Sequence, residues 1–166
     1  MSERIETAAL RDFSVSLCRA AGLSADDAAL LTDSILFAEC RGVTSHGLLR
    51  LPQYIARLRS GATASNVPMP FTMESGGTAR LDAQNGLGQL AGRKASDKAE
   101  ELAAEYGVSF VAVANSNHFG TGAWYAIPAA RRGFFAFNIS SAASAMAPHG
   151  AAQPLLGTDP VGLALP

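Results

Sequence analysis

The stretch Thr78–Ala114, TARLDAQNGLGQLAGRKASDKAEELAAEYGVSFVAVA, decides the fold class. Thr78–Ala83 reads as a short strand. Gln89 to Tyr106 reads as a long helix closed by Gly107, the residue that best ends a helix. The run Val108–Ala114 is apolar throughout, as a strand buried on both faces should be. Strand, helix and strand in that order predict a right-handed parallel crossover. The chain is therefore α/β.

Upstream, Phe71–Ser75 and Thr78–Ala83 flank Gly76-Gly77, a hairpin signal. The Pro68–Pro70 stretch marks a linker. Before it the pattern is helical. Ile5, Ala9, Phe13 and Leu17 form a stripe at helical spacing that ends at Gly22. Ser24 with Asp27 predicts a capping box for a second helix running to Cys40 and stopping near Gly42. A third helix is expected within Leu48–Ser60, closed by Gly61, with Pro52 in its first turn. Downstream, a helix over Thr121–Arg132 and a strand over Phe134–Ser140 continue the alternation. The expected organisation is a helical segment over residues 1–65 and an α/β region over 66–166, a mixed or parallel sheet with crossover helices. The sequence stops on the apolar stretch Val161–Pro166, which reads as a core strand, so the second region is expected to be incomplete at its C-terminus.

Bulk properties exclude several function classes. Hydrophobic residues make up 48% and charged residues 16% of 166, which is globular rather than disordered. Thirteen basic residues against 14 acidic, with no basic block, give nucleic acid nothing to bind. No apolar run reaches membrane-spanning length, and the charged start Met1–Glu6 does not read as a signal peptide. Cys18 and Cys40 lack ligand spacing and read as small buried residues in a reducing compartment. The expectation is a cytoplasmic protein.

Four constellations could carry chemistry. Asn115-Ser116-Asn117-His118 follows a strand, and Ser140-Ser141 follows the next. If those strands are parallel neighbours, both segments share the sheet edge where α/β proteins bind ligands. His118 there is either a proton-transfer group or an ordinary loop histidine. Ser45, His46, Arg50 and Tyr54 form a second cluster. In a helix His46 and Arg50 share a face, as do Arg50 and Tyr54. A guanidinium can grip a carboxylate while an imidazole moves a proton; the alternative is an exposed Arg beside a capping Ser-His pair. Third, Gly86-Leu87-Gly88-Gln89-Leu90-Ala91 matches the dinucleotide-binding turn. Yet Ala114-Asn115 ends the next strand where that motif wants an acidic residue, so a tight turn with close backbone packing is the competing reading. Fourth, His46, His118 and His149 lack short ligand spacing and few acidic residues stand near them, so no metal site is expected.

The residues also carry a resemblance. Arg41-Gly42-Val43-Thr44-Ser45-His46-Gly47 with Arg50 and Tyr54 resembles a first signature of the malate/L-lactate dehydrogenase family unrelated to Rossmann-type enzymes. Ser116-Asn117-His118-Phe119-Gly120 resembles its second. Ala147-Pro148-His149-Gly150 leading to Leu156-Gly157-Thr158-Asp159-Pro160 resembles its third. The resemblance runs through essentially the whole chain.

It implies an oxidoreductase that moves a hydride between NAD or NADP and a small 2-oxo or 2-hydroxy acid such as malate or lactate. It implies a non-Rossmann cofactor site and a homodimer. His46 would be the proton donor, with Ser45 orienting it, and His118 a proton acceptor. Arg50, Tyr54 and Thr158 would meet the substrate. His118, Phe119, Gly120, Thr121 and Gly122 would line the cofactor, with Ser141 and Ala142 nearby. Two residues depart from the family pattern: Asp159 stands where Asn is common, and Ala142 where some members have a hydroxyl. Family members are also considerably longer. Three alternatives stay open: reduction of cyclic imines such as piperideine- or pyrroline-2-carboxylate, to which Pro148–Ala151 and Gln153–Leu155 are similar; an inactive truncated remnant; and a metal-dependent hydrolase or lyase built on the histidines.

Overall fold

The computed structural model describes residues 5–166. The charged start read against a signal peptide lies largely outside them, at Met1–Arg4. The described chain forms two compact units, one ending at Gly120 and the other spanning Thr121–Pro166.

In the first unit, α1 (Thr7–Ala20), α2 (Ala25–Glu39) and α3 (Leu51–Arg59) precede β1 (Phe71–Ser75), β2 (Thr78–Asp82), α4 (Gly88–Tyr106) and β3 (Phe110–Ala114). The hairpin forms as expected: β1 and β2 pair antiparallel, with a register shift between Met73 and Ser75. The crossover forms too, since β2 and β3 are parallel with α4 between them. The sheet is therefore mixed, in the order β1-β2-β3.

One core joins the helices to the sheet. Leu31 and Ile35 of α2, Leu51 and Leu58 of α3, Leu81 of β2, and Leu90 and Ala91 of α4 belong to a single buried cluster. The change of pattern near residue 65 is thus a change of element type, and the boundary between compact units falls at Gly120.

Helix ends follow local chemistry. Ser24 caps α2, its Oγ accepting from Asp27 N–H at 3.1 Å. The return half of the expected box goes elsewhere: Ser24 N–H donates to Asn66 Oδ1 at 2.9 Å, and Asn66 Nδ2 donates to Gly22 O at 2.8 Å. Asn66 thus ties the α1–α2 turn to the linker before β1. Ser24→Ala should cost about 1 kcal/mol, lowering the melting temperature by roughly 2–4 °C; thermal unfolding followed by circular dichroism checks it. Gly107, at φ 83°, ends α4 as expected.

Several expectations fail for physical reasons. The stripe assigned to α1 is not its buried face. Ile5 and Phe13 are exposed, whereas Ser14 and Cys18 are fully buried, Ser14 because its hydroxyl is satisfied by Leu10 O at 2.8 Å. Cys40 is exposed, because it is the residue at which α2 ends. The third helix begins late: Thr44–His46 and Leu48–Arg50 are two short 3₁₀ turns before α3, with Pro52 in its first turn. The run Val108–Ala114 is not buried on both faces. β3 is an edge strand, with Val108 and Phe110 exposed and Val111 packed against the core.

In the second unit, α5 (Ala123–Arg131) precedes β4 (Ala136–Ile139) and β5 (Val161–Ala164), which pair antiparallel as a separate two-stranded ribbon. β4 is therefore not the parallel neighbour of β3, and segments 115–118 and 140–141 do not end adjacent strands of one sheet. Val161–Ala164 is a strand but not a core strand. Phe137, Ile139, Val161 and Leu163 form an exposed apolar face, while Ala136, Asn138, Gly162 and Ala164 form the more buried one. Among the described residues no helix is long and apolar enough to cross a membrane.

Candidate active site

Gly47 lets the two 3₁₀ turns lie against α2. A methyl group there would collide with the Glu39 carboxylate, which instead accepts Leu48 N–H at 2.8 Å. This folding brings Ser45, His46 and Arg50 to the N-terminal end of α3. Arg50 Nε donates to Ser45 O at 2.7 Å, and its Nη1 donates to Gln53 Oε1 at 3.0 Å. The guanidinium is thereby oriented, though not by the helical spacing assumed from sequence. Ser45 Oγ lies 2.9 Å from His46 Nδ1.

His118 arrives from the loop after β3. Asn115 takes a left-handed conformation at φ 53°, and its carbonyl accepts Asn85 N–H at 2.8 Å. Asn117 Nδ2 donates to Gly86 O at 2.9 Å, while its Oδ1 accepts from Arg57 Nη2 at 2.8 Å. The loop is thus fastened to the turn before α4 and to α3. Gly88 completes the fit: a methyl group there would lie 2.5 Å from His118 O and closer still to Asn117 O. The glycine-rich turn therefore packs on the protein's own carbonyls, the close-packing reading of that motif.

The two histidines meet. Their rings stack with centroids 5.3 Å apart at 26°, and the Tyr54 hydroxyl lies 2.7 Å from His118 Nδ1. A cleft of about 220 Å³ is lined by Arg50, Tyr54, Arg57, Leu87, Asn117 and His118, among others. Loss of hydration, then the charges of His46 and Arg50, depress the His118 pKa to about 4. His46 is lowered for the same first reason, with Arg50 second. Burial pushes the Tyr54 hydroxyl up to about 12, so it stays protonated. The arrangement offers an anion-binding guanidinium beside two imidazoles whose pKa values are both lowered, one of them held by a phenol.

Ser45, His46, Arg50, Tyr54 and His118 are thus gathered in the first unit, with Phe119 and Gly120 directly following. Within the second unit, the third motif folds onto the loop after β4. Asp159 Oδ1 accepts Ala142 N–H at 2.8 Å, and a methyl group at Gly157 would lie 2.5 Å from Ala142 O. This places Thr158 and Asp159 beside Ser141-Ala142 and commits the Asp159 carboxylate to backbone. Thr121 and Gly122 precede α5, where Gly122 O accepts from Asn138 Nδ2 at 3.1 Å. His149 is exposed beside the turn closed by Ala151 N–H to Pro148 O. Among the described residues no three His, Cys, Asp or Glu side chains gather as metal ligands would.

Sequence reading missed Arg57, Gln53 and Gln89. Gln89 is buried in the first turn of α4, with its Oε1 unpartnered among the described residues. Its signal was a polar residue inside the glycine-rich turn, at a position where a first helical turn faces the core.

Comparison with known proteins agrees with this architecture. The family model described as malate/L-lactate dehydrogenase matches residues 5–166. A malate dehydrogenase of Pyrococcus abyssi is 35% identical over 98% of this chain and 45% of its own length. An L-sulfolactate dehydrogenase of Methanocaldococcus jannaschii is 37% identical over 86% of this chain and 42% of its own. The solved malate dehydrogenase of Pyrococcus horikoshii superposes with a TM-score of 0.94 at 32% identity, over 99% of this chain and 47% of that one. The chain spans about half the length of the relatives it matches. It belongs to the malate/L-lactate dehydrogenase family.

Proposed function

We propose that the full-length protein is an NAD(P)-dependent oxidoreductase interconverting a small 2-oxo acid and its 2-hydroxy acid. The observation that carries this reading is the His46–His118 stack, with Arg50 and the Tyr54 hydroxyl at one cleft. Arg50 binds the substrate carboxylate, and Tyr54 and Thr158 add further substrate contacts. His46, oriented by Ser45, gives the proton that converts a carbonyl oxygen to a hydroxyl and takes it back in the reverse direction. His118, kept neutral, donates a hydrogen bond rather than a charge.

The nicotinamide cofactor would be held by His118, Phe119, Gly120, Thr121 and Gly122, with Ser141 and Ala142. These residues fit such a group. Gly120, at φ 82°, presents backbone without a side chain, and the Thr121 hydroxyl and Asn138 Oδ1 are buried with no hydrogen-bond partner among the described residues. When bound, the cofactor supplies or accepts the hydride. Assembly as a homodimer and residence in the cytoplasm belong to the same proposal and rest on the family likeness.

The test assays the full-length protein against a panel of 2-oxo acids and cyclic imines with NADH and NADPH. Oxidation of either cofactor with a 2-oxo acid is the expected result. Turnover with cyclic imines alone replaces the substrate class, and no turnover with any pair overturns the reading. Arg50→Ala should raise KM for carboxylate substrates about tenfold or more, as loss of a charged hydrogen bond worth roughly 1.5–3 kcal/mol requires; an unchanged KM removes its role.

A further inference from the structure

Arg50 immediately precedes α3 and Arg57 follows about two helical turns later, and both line the cleft. Each guanidinium is held by neutral acceptors alone. Arg50 donates to Ser45 O and Gln53 Oε1. Arg57 donates from Nε to Thr63 Oγ1 at 3.1 Å, and from Nη2 to Ala62 O at 3.2 Å and Asn117 Oδ1 at 2.8 Å. Arg50 Nη2 and Arg57 Nη1 have no hydrogen-bond partner among the described residues. Neither arginine forms an ion pair among those residues, unlike Arg11 with Asp33 or Arg93 with Asp97. No Asp or Glu lines the cleft. It therefore holds two permanent positive charges and no negative one.

At about 220 Å³ the cleft accommodates one small acid. A monocarboxylate on Arg50 would leave the Arg57 charge uncompensated in the same confined space, whereas a dianion neutralises both. We propose that Arg57 is a second substrate-binding residue, and that the substrate is a 2-oxo acid carrying a further anionic group at the end remote from its 2-oxo carboxylate. The inference rests on the function proposed above and names its substrate class. Arg50 is bonded to Ser45 beside His46, so it takes the carboxylate next to the reacting carbonyl. Arg57, two turns further along α3, takes the remote anion. The fork of donors lets it do so without releasing the protein: Nε and Nη2 stay on Thr63, Ala62 and Asn117, and Nη1 remains for the ligand. A substrate lacking the remote anion leaves that donor unpaired and is rejected accordingly.

The experiment measures kcat/KM of the full-length protein for matched acids that differ in the second carboxylate: oxaloacetate against 2-oxobutanoate, and 2-oxoglutarate against 2-oxopentanoate. The dianion is expected to be preferred roughly tenfold to hundredfold in at least one pair, the effect of one charged hydrogen bond; no preference in either pair overturns the proposal. Arg57→Gln removes the charge, and the preference should then fall to near unity. Arg57 also anchors Asn117, but loss of an anchor alone slows both members of a pair alike. A lowered rate with an unchanged preference therefore overturns the role of Arg57. Arg57→Lys keeps a point charge without the fork and should show an intermediate preference. Should the Gln variant not fold, an unchanged preference in Arg57→Lys overturns the proposal in its place. Turnover of both members without preference defeats this inference and leaves the function above standing, while no turnover of any 2-oxo acid defeats both.

Discussion

His46→Ala in the full-length protein lowers turnover of a 2-oxo acid by roughly 10²–10⁴-fold, the range that a positioned general acid contributes. His46 is half-buried and bonded to Ser45, outside the buried core, so its removal should leave the unfolding transition nearly in place. His118→Ala should also reduce turnover, by up to about 10²–10³-fold, as loss of one donor to the reacting oxygen does. Steady-state kinetics beside melting curves separate these effects from folding, and near-normal turnover in both variants would refute the assigned centre.

The pH dependence sharpens this expectation. His46 is lowered by loss of hydration and by Arg50, so in the free protein it is protonated only below its ordinary range. Reduction needs that proton, so kcat/KM for reduction should fall as pH rises through a value below about 6.5. A substrate carboxylate paired with Arg50 offsets the guanidinium charge and raises the His46 pKa. The kcat profile, which reports the complex, should therefore break at higher pH than the kcat/KM profile. Coincident breaks would separate Arg50 from the substrate carboxylate.

Gly88→Ala should destabilise the protein by about 1–3 kcal/mol, the usual cost of forcing a methyl group into a packed site. That corresponds to a fall of roughly 2–4 °C in melting temperature per kcal/mol for a chain of this size. The atoms in the way are the backbone oxygens of Asn117 and His118, and neither can swing aside as a flexible side chain can. Relief must come from moving the loop that carries His118, so the same substitution should also reduce turnover. A melting curve with wild-type midpoint, or lost stability at full activity, would contradict the packing. In a dinucleotide-binding turn the second glycine admits a pyrophosphate; here it admits a neighbouring loop of the protein.

Much of this fold was legible because its signals are local. The hairpin at Gly76-Gly77, the Ser24 cap, the Gly107 stop and the parallel crossover around α4 each depend on a few adjacent residues. The misreadings concern what lies across the chain. Stripe spacing could not show that Ser14 and Cys18, rather than Ile5 and Phe13, face inward in α1, because a hydroxyl satisfied by its own helix is as easily buried as a methyl group. The apolar run Val108–Ala114 marked a strand, but nothing within it says that β4 would pair with β5 and leave β3 at an edge.

The site divides in the same way. Sequence by itself determined the parts: the Ser45-His46 pair, Arg50, Tyr54 and the His118 loop, since these types at these spacings announce proton transfer and anion binding. Only the tertiary structure decided their relations. His46 and His118 are 72 positions apart, and their stacking depends on two 3₁₀ turns, on a loop pinned by Asn85, Asn117 and Arg57, and on a glycine that lets α4 approach. The phenol that engages His118 comes from α3, whereas the imidazole comes from the loop after β3. Hydrogen bonds and desolvation act over a few ångströms of space, whatever the distance along the chain, and for that reason the chemistry of the two imidazoles is set by the fold.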